Sequence, residues 1–282
     1  MRLLACLVLL PIAACSTKHP APKQEAVAPA QPSKDPSSDP WQVADGPALG
    51  SAEPVPKWAS DPPAVLRAKI LGVNAHVDVL KSVATFAEYR DVLAVVEKTP
   101  GVVAAEPFIF AELYIASAER APIGVAVKGV DPSRVGRVLA VGTHMVAGSI
   151  DSLAKGEPAP IVLGDDLARK LDVKIGDEVT VSPPKDPPSS AKPKVFRVSA
   201  LFHMDFDEYD ERLALTSLSA LQAMLGRGDQ VMGIEMTVKD LDHSDDIAST
   251  IEKALGGPPY QAMDWYELNK NLFTALYGQR RP

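Results

Sequence analysis

The stretch TFAEYRDVLAVVEKTPG, residues 85–101, contains the pattern from which the fold is predicted. Thr85 and Glu88 have the spacing of a capping box, in which a hydroxyl and a carboxylate bind the free amides at a helix start. The apolar residues that follow at the i, i+3, i+4, i+7 spacing of one helix face are Tyr89, Val92, Leu93 and Val96. Pro100-Gly101 ends the helix. The stretch therefore predicts an amphipathic helix.

Apolar, strand-like segments lie on both sides of this helix. Residues 70–79 precede it, and residues 102–116 and then 124–130 follow it. This order predicts a strand-helix-strand unit.

A similar unit occurs late in the sequence. Residues 233–238 alternate like a half-buried strand, and residues 260–263 form a second short strand. Between them, Ser244 or Asp245 can cap a helix that Gly256-Gly257 terminates. Two such units commonly pair as a split, ferredoxin-like α/β sandwich.

The sequence between the two units has a different pattern. Predicted strands cover residues 161–164, 178–181, 195–202 and 212–216, and predicted short helices cover residues 165–171 and 218–225. The pattern indicates a mostly β subdomain inserted into the sandwich. The predicted fold class is therefore α+β.

Composition excludes several classes of protein. The 282 residues carry 29 Lys+Arg against 36 Asp+Glu, a formal net charge of -7, and 6% aromatic residues. Nucleic acid is not the expected partner, because phosphate binding needs a basic surface and base stacking needs aromatic side chains. After the N-terminus no apolar run approaches the ~18 residues of an ordinary transmembrane helix.

The N-terminus has the features of an export signal. Met1-Arg2 is followed by an apolar run over residues 3–14, which as a helix spans about 18 Å, less than the ~30 Å core of a bilayer. The run ends in Ile12-Ala13-Ala14-Cys15, which resembles the lipobox of bacterial lipoproteins. We interpret residues 1–14 as a lipoprotein signal peptide and Cys15 as the lipidated residue; an ordinary secretory signal with a chance cysteine is the alternative.

Residues 15–64 are predicted to be a disordered tether. Eleven prolines lie in residues 16–64, where apolar periodicity is almost absent. Such a segment cannot bury enough surface to offset its ordering entropy. The expected location is the periplasm, with lipid anchoring to a membrane; Ser16, in place of an aspartate after the cysteine, favours the outer membrane.

Several segments together resemble a known family. They are Leu71-Gly72-Val73-Asn74-Ala75-His76-Val77, Gly129-Val130-Asp131-Pro132, residues 161–181, Glu208-Tyr209-Asp210 with Leu213-Ala214-Leu215, and residues 264–273. In order and spacing they are similar to the periplasmic core of lipoprotein-releasing (Lol type) ABC permeases, within the MacB-like periplasmic core domain family. The resemblance covers residues 65–277.

The resemblance implies a division into subdomains. Residues 65–133 with 228–263 correspond to the Porter-like α/β subdomain, and residues 134–227 to the inserted Sabre-like subdomain. Residues 264–282 are expected to be a C-terminal amphipathic helix, capped by Asp264, and a tail.

The sequence also departs from the family permeases, which have one transmembrane helix before this domain and three after it. Here the predicted signal peptide and tether occupy the position of the first transmembrane helix, and the sequence ends at Pro282. It has no phosphate-binding loop of the Gly-x-x-x-x-Gly-Lys-Ser/Thr type, so we expect neither ATP hydrolysis nor a cofactor.

Catalytic and metal-binding patterns are weak. Five acids within residues 205–211 suggest calcium, but the glycine and distal glutamate of an EF-hand are missing, which favours a solvated turn. The histidines fit no zinc spacing. His144, Ser149 and Asp151 could form a triad, but no Gly-x-Ser-x-Gly motif accompanies them. We therefore expect this protein to have neither enzymatic activity nor a metal site.

The loop over residues 182–194 is the candidate contact site. Prolines stiffen it and lower the entropy lost on docking. In the resembling permeases a hairpin at this position recruits the periplasmic lipoprotein carrier. The candidate partner-binding residues are Pro183, Pro184, Lys185, Asp186, Pro187, Pro188, Lys192 and Lys194. A variable solvent loop is the alternative.

The function expected from the sequence is a lipid-anchored periplasmic binding module related to lipoprotein-releasing permeases. Its expected partners are ABC transporter subunits or a periplasmic lipoprotein carrier. One alternative is the periplasmic half of a split ABC permease that a separate membrane chain completes. A periplasmic hydrolase using Ser149 is the other.

Overall fold

The computed structural model describes residues 57–71, 74–184 and 191–277. The predicted signal peptide, Cys15 and most of the predicted tether lie outside these residues. Within the 15–64 segment, the described part contains a 3₁₀ helix, Lys57–Ser60, and the start of α1, Pro63–Leu71.

The two strand-helix-strand units form one four-stranded sheet. The first unit is β1 (Val77–Lys81), α2 (Tyr89–Lys98) and β2 (Val102–Ala116). The second is β9 (Gly233–Val238), α7 (Ser244–Ala254) and β10 (Tyr260–Asp264). The strand order β10-β1-β9-β2, antiparallel throughout, is the split ferredoxin-like arrangement that the sequence predicts.

The inserted segment extends this sheet on the β2 side. Its bounds are β3 (Ile123–Val130), α3 (Val135–Val138), β4 (Met145–Ala147), β5 (Ala159–Gly164), α4 (Asp165–Leu171), β6 (Glu178–Ser182), β7 (Lys194–Phe202), α5 (Asp207–Asp210), β8 (Leu213–Ser217) and α6 (Leu218–Leu225), with 3₁₀ helices Ala140–His144 and Ile150–Ala154. The order continues β2-β3-β8-β5-β7-β4, and β6 pairs with both β2 and β7. The α+β class with a β-rich insertion is confirmed.

Two apolar cores lie on opposite faces of the sheet. On one face α2 and α7 cover β1, β2 and β9 through residues such as Val92, Val96 and Ile251. On the other face α1, α3 and the C-terminal helix α8 (Trp265–Tyr277) contribute Leu66, Val135 and Phe273. Strand residues therefore alternate between the two faces, apart from irregularities such as those between Val102 and Ala104 and between Ile161 and Val162.

The predicted capping box at residues 85–88 is wrong. Glu88 precedes α2 but makes no side-chain cap hydrogen bond. Its Oε1 instead accepts a hydrogen bond from the Tyr260 hydroxyl at 2.7 Å and pairs with Lys81, while the Thr85 hydroxyl donates to Gln230 Oε1 at 2.6 Å. Partners distant in sequence compete successfully for both side chains, which a local pattern cannot reveal.

Two further local predictions need correction. Residues 70–79 are not one strand, because Ile70 belongs to α1 and β1 begins only at Val77. Ile70 and Leu66, four residues apart, both contact the core beside α8, which explains the helix. Ser244 does not cap α7; its hydroxyl donates to Asp264 Oδ2 at 3.1 Å.

The predicted cap of the C-terminal helix is confirmed. Asp264 Oδ1 accepts a hydrogen bond from the Glu267 amide at 2.9 Å, immediately before α8. Asp264 therefore holds the start of α8 and, through Ser244, the start of α7.

Gly233 allows β1, β9 and β2 to approach one another closely. A Cβ atom at this position would lie 2.8 Å from side-chain atoms of Leu80 and Phe108 and from the Val79 carbonyl. We expect Gly233→Ala to lower the free energy of unfolding by ~1–3 kcal/mol, measured by urea denaturation. The matched control is Gly136→Ala in α3, where the added Cβ would lie 4.0 Å from Ile150 and should leave stability equal or higher. Equal stability of wild type and Gly233→Ala would contradict the close approach.

Candidate functional site

The candidate loop joins the two strands of an antiparallel hairpin. Val181 on β6 lies opposite Lys194 on β7, and Thr180 lies opposite Val195. Pro183, Pro184, Lys192 and Lys194 are placed at the base of the loop; Lys185, Asp186, Pro187 and Pro188 lie outside the described residues.

The base of this hairpin is fixed to the rest of the fold. Val179, Val181 and Phe196 are buried beneath it. The Lys192 amide donates to the Met224 carbonyl of α6 at 3.2 Å, and the Lys194 ammonium lies 5.7 Å from the Phe196 ring centroid. The described ends of the loop are thus attached to packed elements.

One face of the hairpin carries apolar surface. Tyr114 on β2 and Val195 on β7 are each 42% exposed. Thr180 lies between Ala116 of β2 and Val195 of β7, so these three side chains share one face of the sheet. Tyr114 is two residues from Ala116 and therefore points to the same face. This outer hairpin face combines apolar and hydroxyl groups beside the proline-rich loop.

A row of acids, of which Glu106 and Glu235 are buried and Asp78 is half-buried, crosses the ferredoxin-like half of the sheet. Asp78 on β1 lies opposite Glu235 on β9, which in turn lies opposite Glu106 on β2. Lys128 on β3 donates to Glu235 Oε2 at 2.6 Å, and the Asp131 amide donates to Glu106 Oε2 at 3.0 Å. We call Asp78, Glu106, Glu235 and Lys128 the buried charge row.

The charges of this row do not balance if all four groups are ionised, because three carboxylates face one ammonium. Asp78 Oδ1, Glu106 Oε1 and Glu235 Oε1 are buried without a hydrogen-bond partner among the described residues. Burial, followed by the neighbouring Glu235 carboxylate, raises the pKa of Asp78 to about 8. Burial likewise raises the pKa of Glu106 and of Glu235. The row can therefore take up protons near neutral pH.

Sequence reasoning missed this row. The predicted half-buried strand over residues 233–238 would have one solvent-exposed face, whereas α3 and its neighbours cover the face that carries Glu235. Glu106 and Lys128, each inside an otherwise apolar strand, were the signal that could have revealed it.

The raised pKa values predict that stability falls with increasing pH. A carboxyl whose pKa is raised in the folded state stabilises the fold fully at pH values below its pKa in the unfolded chain, which is near 4. This stabilisation is lost as the pH rises through the pKa of the folded state, which is about 8 for Asp78. We expect the wild-type unfolding free energy to decrease between pH 5 and pH 9 by up to ~1.4 kcal/mol per pH unit for each proton, and Asp78→Asn to flatten this slope.

Denaturant unfolding at several pH values measures this slope. Glu112→Gln is the matched control, since Glu112 lies on β2 like Glu106 but is exposed. The same slope in wild type and Asp78→Asn would show that Asp78 is ionised throughout the range.

A second polar cluster lies where β5 and β7 end. His203 Nδ1 lies 2.8 Å from Asp165 Oδ1 and 3.5 Å from Asp210 Oδ2, and His203 Nε2 lies 3.1 Å from Asp205 Oδ1. The hydrogen bond to Asp165 raises the pKa of His203. Within residues 57–71, 74–184 and 191–277, Asp165, His203 and Asp210 are the only group of three with metal-ligand spacing.

This cluster corrects one sequence expectation. The acids at residues 205–211 do not all form a solvated turn, because Asp210 is 1% exposed and its oxygens accept hydrogen bonds from the Met204 and Phe206 amides at 2.7 and 3.0 Å. His203 also pairs with Asp165, which lies 38 residues away in sequence, so no local spacing in the sequence indicates this pair.

The structure gives Ser149 a local role. Its Oγ accepts a hydrogen bond from the Asp151 amide at 3.2 Å and caps a 3₁₀ helix. His144 Nδ1 contacts the Ala140 carbonyl and the Thr143 hydroxyl, both at 3.1 Å. These contacts favour helix capping over a nucleophile.

One known protein family matches most of this chain. A model of the MacB-like periplasmic core domain matches residues 42–254, more than half of the sequence. This chain belongs to that family. The resemblance inferred from the sequence is confirmed.

Curated relatives are parts of lipoprotein-releasing systems. The chain is 32% identical over 215 residues to "Lipoprotein-releasing system transmembrane protein LolC" of Xylella fastidiosa, covering 75% of this chain and 51% of the relative. It is 26% identical over 220 residues to the protein of the same name in Neisseria meningitidis serogroup B, covering 77% and 52%. The chain spans about half the length of the curated relatives it matches.

Two solved structures align with most of the chain at low sequence identity. The periplasmic region of MacB from Actinobacillus actinomycetemcomitans aligns with a TM-score of 0.48 and 11% identity, covering 73% of this chain and 95% of that chain. The extracellular domain of the transporter YknZ aligns with a TM-score of 0.46 and 14% identity, covering 67% and 99%. None of the described helices is both long and apolar enough to cross a membrane.

Proposed function

We propose that this protein is a lipid-anchored periplasmic binding module that acts in lipoprotein trafficking or envelope transport by protein–protein contact, without catalysis. The β6–β7 hairpin carries the proposal. Its base is packed against α6 and β2, and its loop combines five prolines in residues 183–193 with three lysines and one aspartate in residues 183–194. A stiff, net basic loop on a fixed base suits docking to an acidic protein surface.

The family indicates what kind of partner docks there. The LolC relatives are named as components of a lipoprotein-releasing system. The partner is therefore a periplasmic lipoprotein carrier or an ABC transporter subunit, bound by the hairpin loop and the outer hairpin face. Tyr114 and Val195 supply the apolar part of this contact, and Lys185 and Lys192 supply the charge.

The anchor and the subdomain division belong to the same proposal. Cys15 carries the lipid after removal of residues 1–14, and residues 15–64 connect it to the folded region. Ser16 favours the outer membrane. Residues 65–133 with 228–263 act as the Porter-like frame, and residues 134–227 present the hairpin.

A second candidate is the periplasmic half of a split ABC permease. The alignment to about half of a transmembrane relative favours it. In that case a separate membrane chain is the partner, and it copurifies with this protein in a fixed ratio.

Charge reversal of the loop tests the docking site. We expect the double substitution Lys185→Glu with Lys192→Glu to reduce recovery of the partner from solubilised envelope at least about fivefold, because each lost contact with an acidic surface is replaced by repulsion. The matched control is Lys155→Glu with Lys174→Glu, two exposed lysines elsewhere in the insert.

Quantitative mass spectrometry of proteins captured by the lipidated full chain provides the measurement. A deletion of residues 183–193 should lose the same proteins as the charge-reversed loop. Recovery of an identical set by wild type and by both loop variants would remove the docking role of the hairpin.

Labelling with radioactive palmitate tests the anchor. We expect Cys15→Ser to abolish incorporation and to move the protein from the membrane fraction to the soluble periplasmic fraction, because two or three acyl chains are needed for stable attachment. Cys6→Ser serves as the control, since Cys6 lies within the predicted signal. Labelling that persists in Cys15→Ser would place the lipid elsewhere or exclude it.

A further inference from the structure

We propose that Asp165, His203 and Asp210 bind a divalent transition-metal ion of the zinc class, and that Asp205 orients the His203 imidazole. This site is separate from the hairpin contact and does not depend on the proposed function. One ligand atom from each of the three residues lies within 4.8 Å of the others.

The two distances from His203 are close to those around a tetrahedral ion. Metal–ligand distances of about 2.0–2.1 Å place neighbouring ligand atoms about 3.3 Å apart around four-coordinate zinc. His203 Nδ1 lies 2.8 Å from Asp165 Oδ1 and 3.5 Å from Asp210 Oδ2, on either side of that value. Small side-chain movements would bring both edges to the required length.

The orientation of the imidazole points to a cation at Nδ1. His203 Nε2 lies 3.1 Å from Asp205 Oδ1, and in the tautomer that donates the Nε2 hydrogen to this carboxylate the Nδ1 atom carries the lone pair. The Nδ1 atom then faces two further carboxylates. A nitrogen lone pair directed at two anions needs a positive charge between them, which is either a proton or a metal ion. A histidine whose second nitrogen donates to a carboxylate is the usual arrangement at a metal centre.

The backbone holds Asp210 ready for this role. The Met204 and Phe206 amides each donate to one of its oxygens, so the carboxylate cannot rotate away. Gly164 lets the two ligand-bearing segments meet, since a Cβ atom there would lie 2.2 Å from the Asp210 carbonyl oxygen. Asp165 follows Gly164 directly, so the same close approach brings its backbone next to that of Asp210.

The surroundings leave one side of the site open. The side chains of His203 and Asp165 are 35% and 24% exposed, against 1% for Asp210. Arg169 lies 3.4 Å from Asp165 Oδ2, on the oxygen that does not face His203. One nitrogen and two carboxylate oxygens with an open fourth position suit zinc, cobalt or manganese better than magnesium, which prefers six oxygens.

Titration of the metal-free full chain in detergent with zinc and with cobalt chloride tests the site. We expect one equivalent to bind, and cobalt to give the visible absorption of a four-coordinate ion. His203→Gln should weaken binding at least about tenfold and change the cobalt spectrum, and Asp205→Asn should weaken it about tenfold through loss of the outer hydrogen bond.

His243→Gln is the matched control. His243 also pairs with a carboxylate, at 2.9 Å from Asp240 Oδ2, but it is exposed and lies outside the group with metal-ligand spacing. This variant should bind metal as the wild type does, and circular dichroism should show that all variants are folded.

Three results would overturn the proposal. They are the absence of saturable binding, equal affinity in wild type and His203→Gln, and loss of binding in His243→Gln. The first two would identify His203 as a protonated partner of its carboxylates and nothing more, and the third would place the metal at His243.

Discussion

The structure depends on the hydrogen bonding of β2, a strand of 15 residues that belongs to both halves of the sheet. Its first part, from Val102 to Phe108, pairs with β9 in the ferredoxin-like half, and its second part, from Ile109 to Ile115, pairs with β3. Its end also pairs with β6 of the candidate hairpin. A backbone shared in this way joins the insert to the frame by direct hydrogen bonds, so the hairpin cannot swing as a separate body without breaking them.

The same strand separates two regions with different chemistry. Glu106 lies in the buried charge row, and Tyr114 lies on the outer hairpin face, eight residues further, which is about 26 Å along an extended strand. Burying unbalanced carboxylates costs stability unless they are protonated. The exposed end of β2 carries no such cost and has the mixture of apolar and polar groups that protein contacts use. The proposed contact surface is thus joined by one strand to the frame that holds the buried charge row.

Apolar periodicity in the sequence predicted helices and strands whose apolar faces pack in the core. Predictions of local hydrogen bonds failed where a side chain binds a residue distant in sequence. The predicted helix at residues 165–171 and the strand at 102–116 have the bounds that α4 and β2 show. The predicted capping box does not form, because Glu88 binds Tyr260 and Lys81 and Thr85 binds Gln230. The hairpin position was predictable because it follows from strand order, whereas its anchoring to α6 was not.

By itself the sequence determined the α+β class, the two strand-helix-strand units, the β-rich insertion and the family, because apolar periodicity and motif order are properties of the chain. Only the tertiary structure decided which polar side chains meet. Asp78, Glu106 and Glu235 are separated by up to 157 residues, and strand pairing places them in one row. His203 meets Asp165 through the parallel pairing of β5 and β7. Charge and burial at these positions depend on contacts between distant segments, which no local pattern encodes.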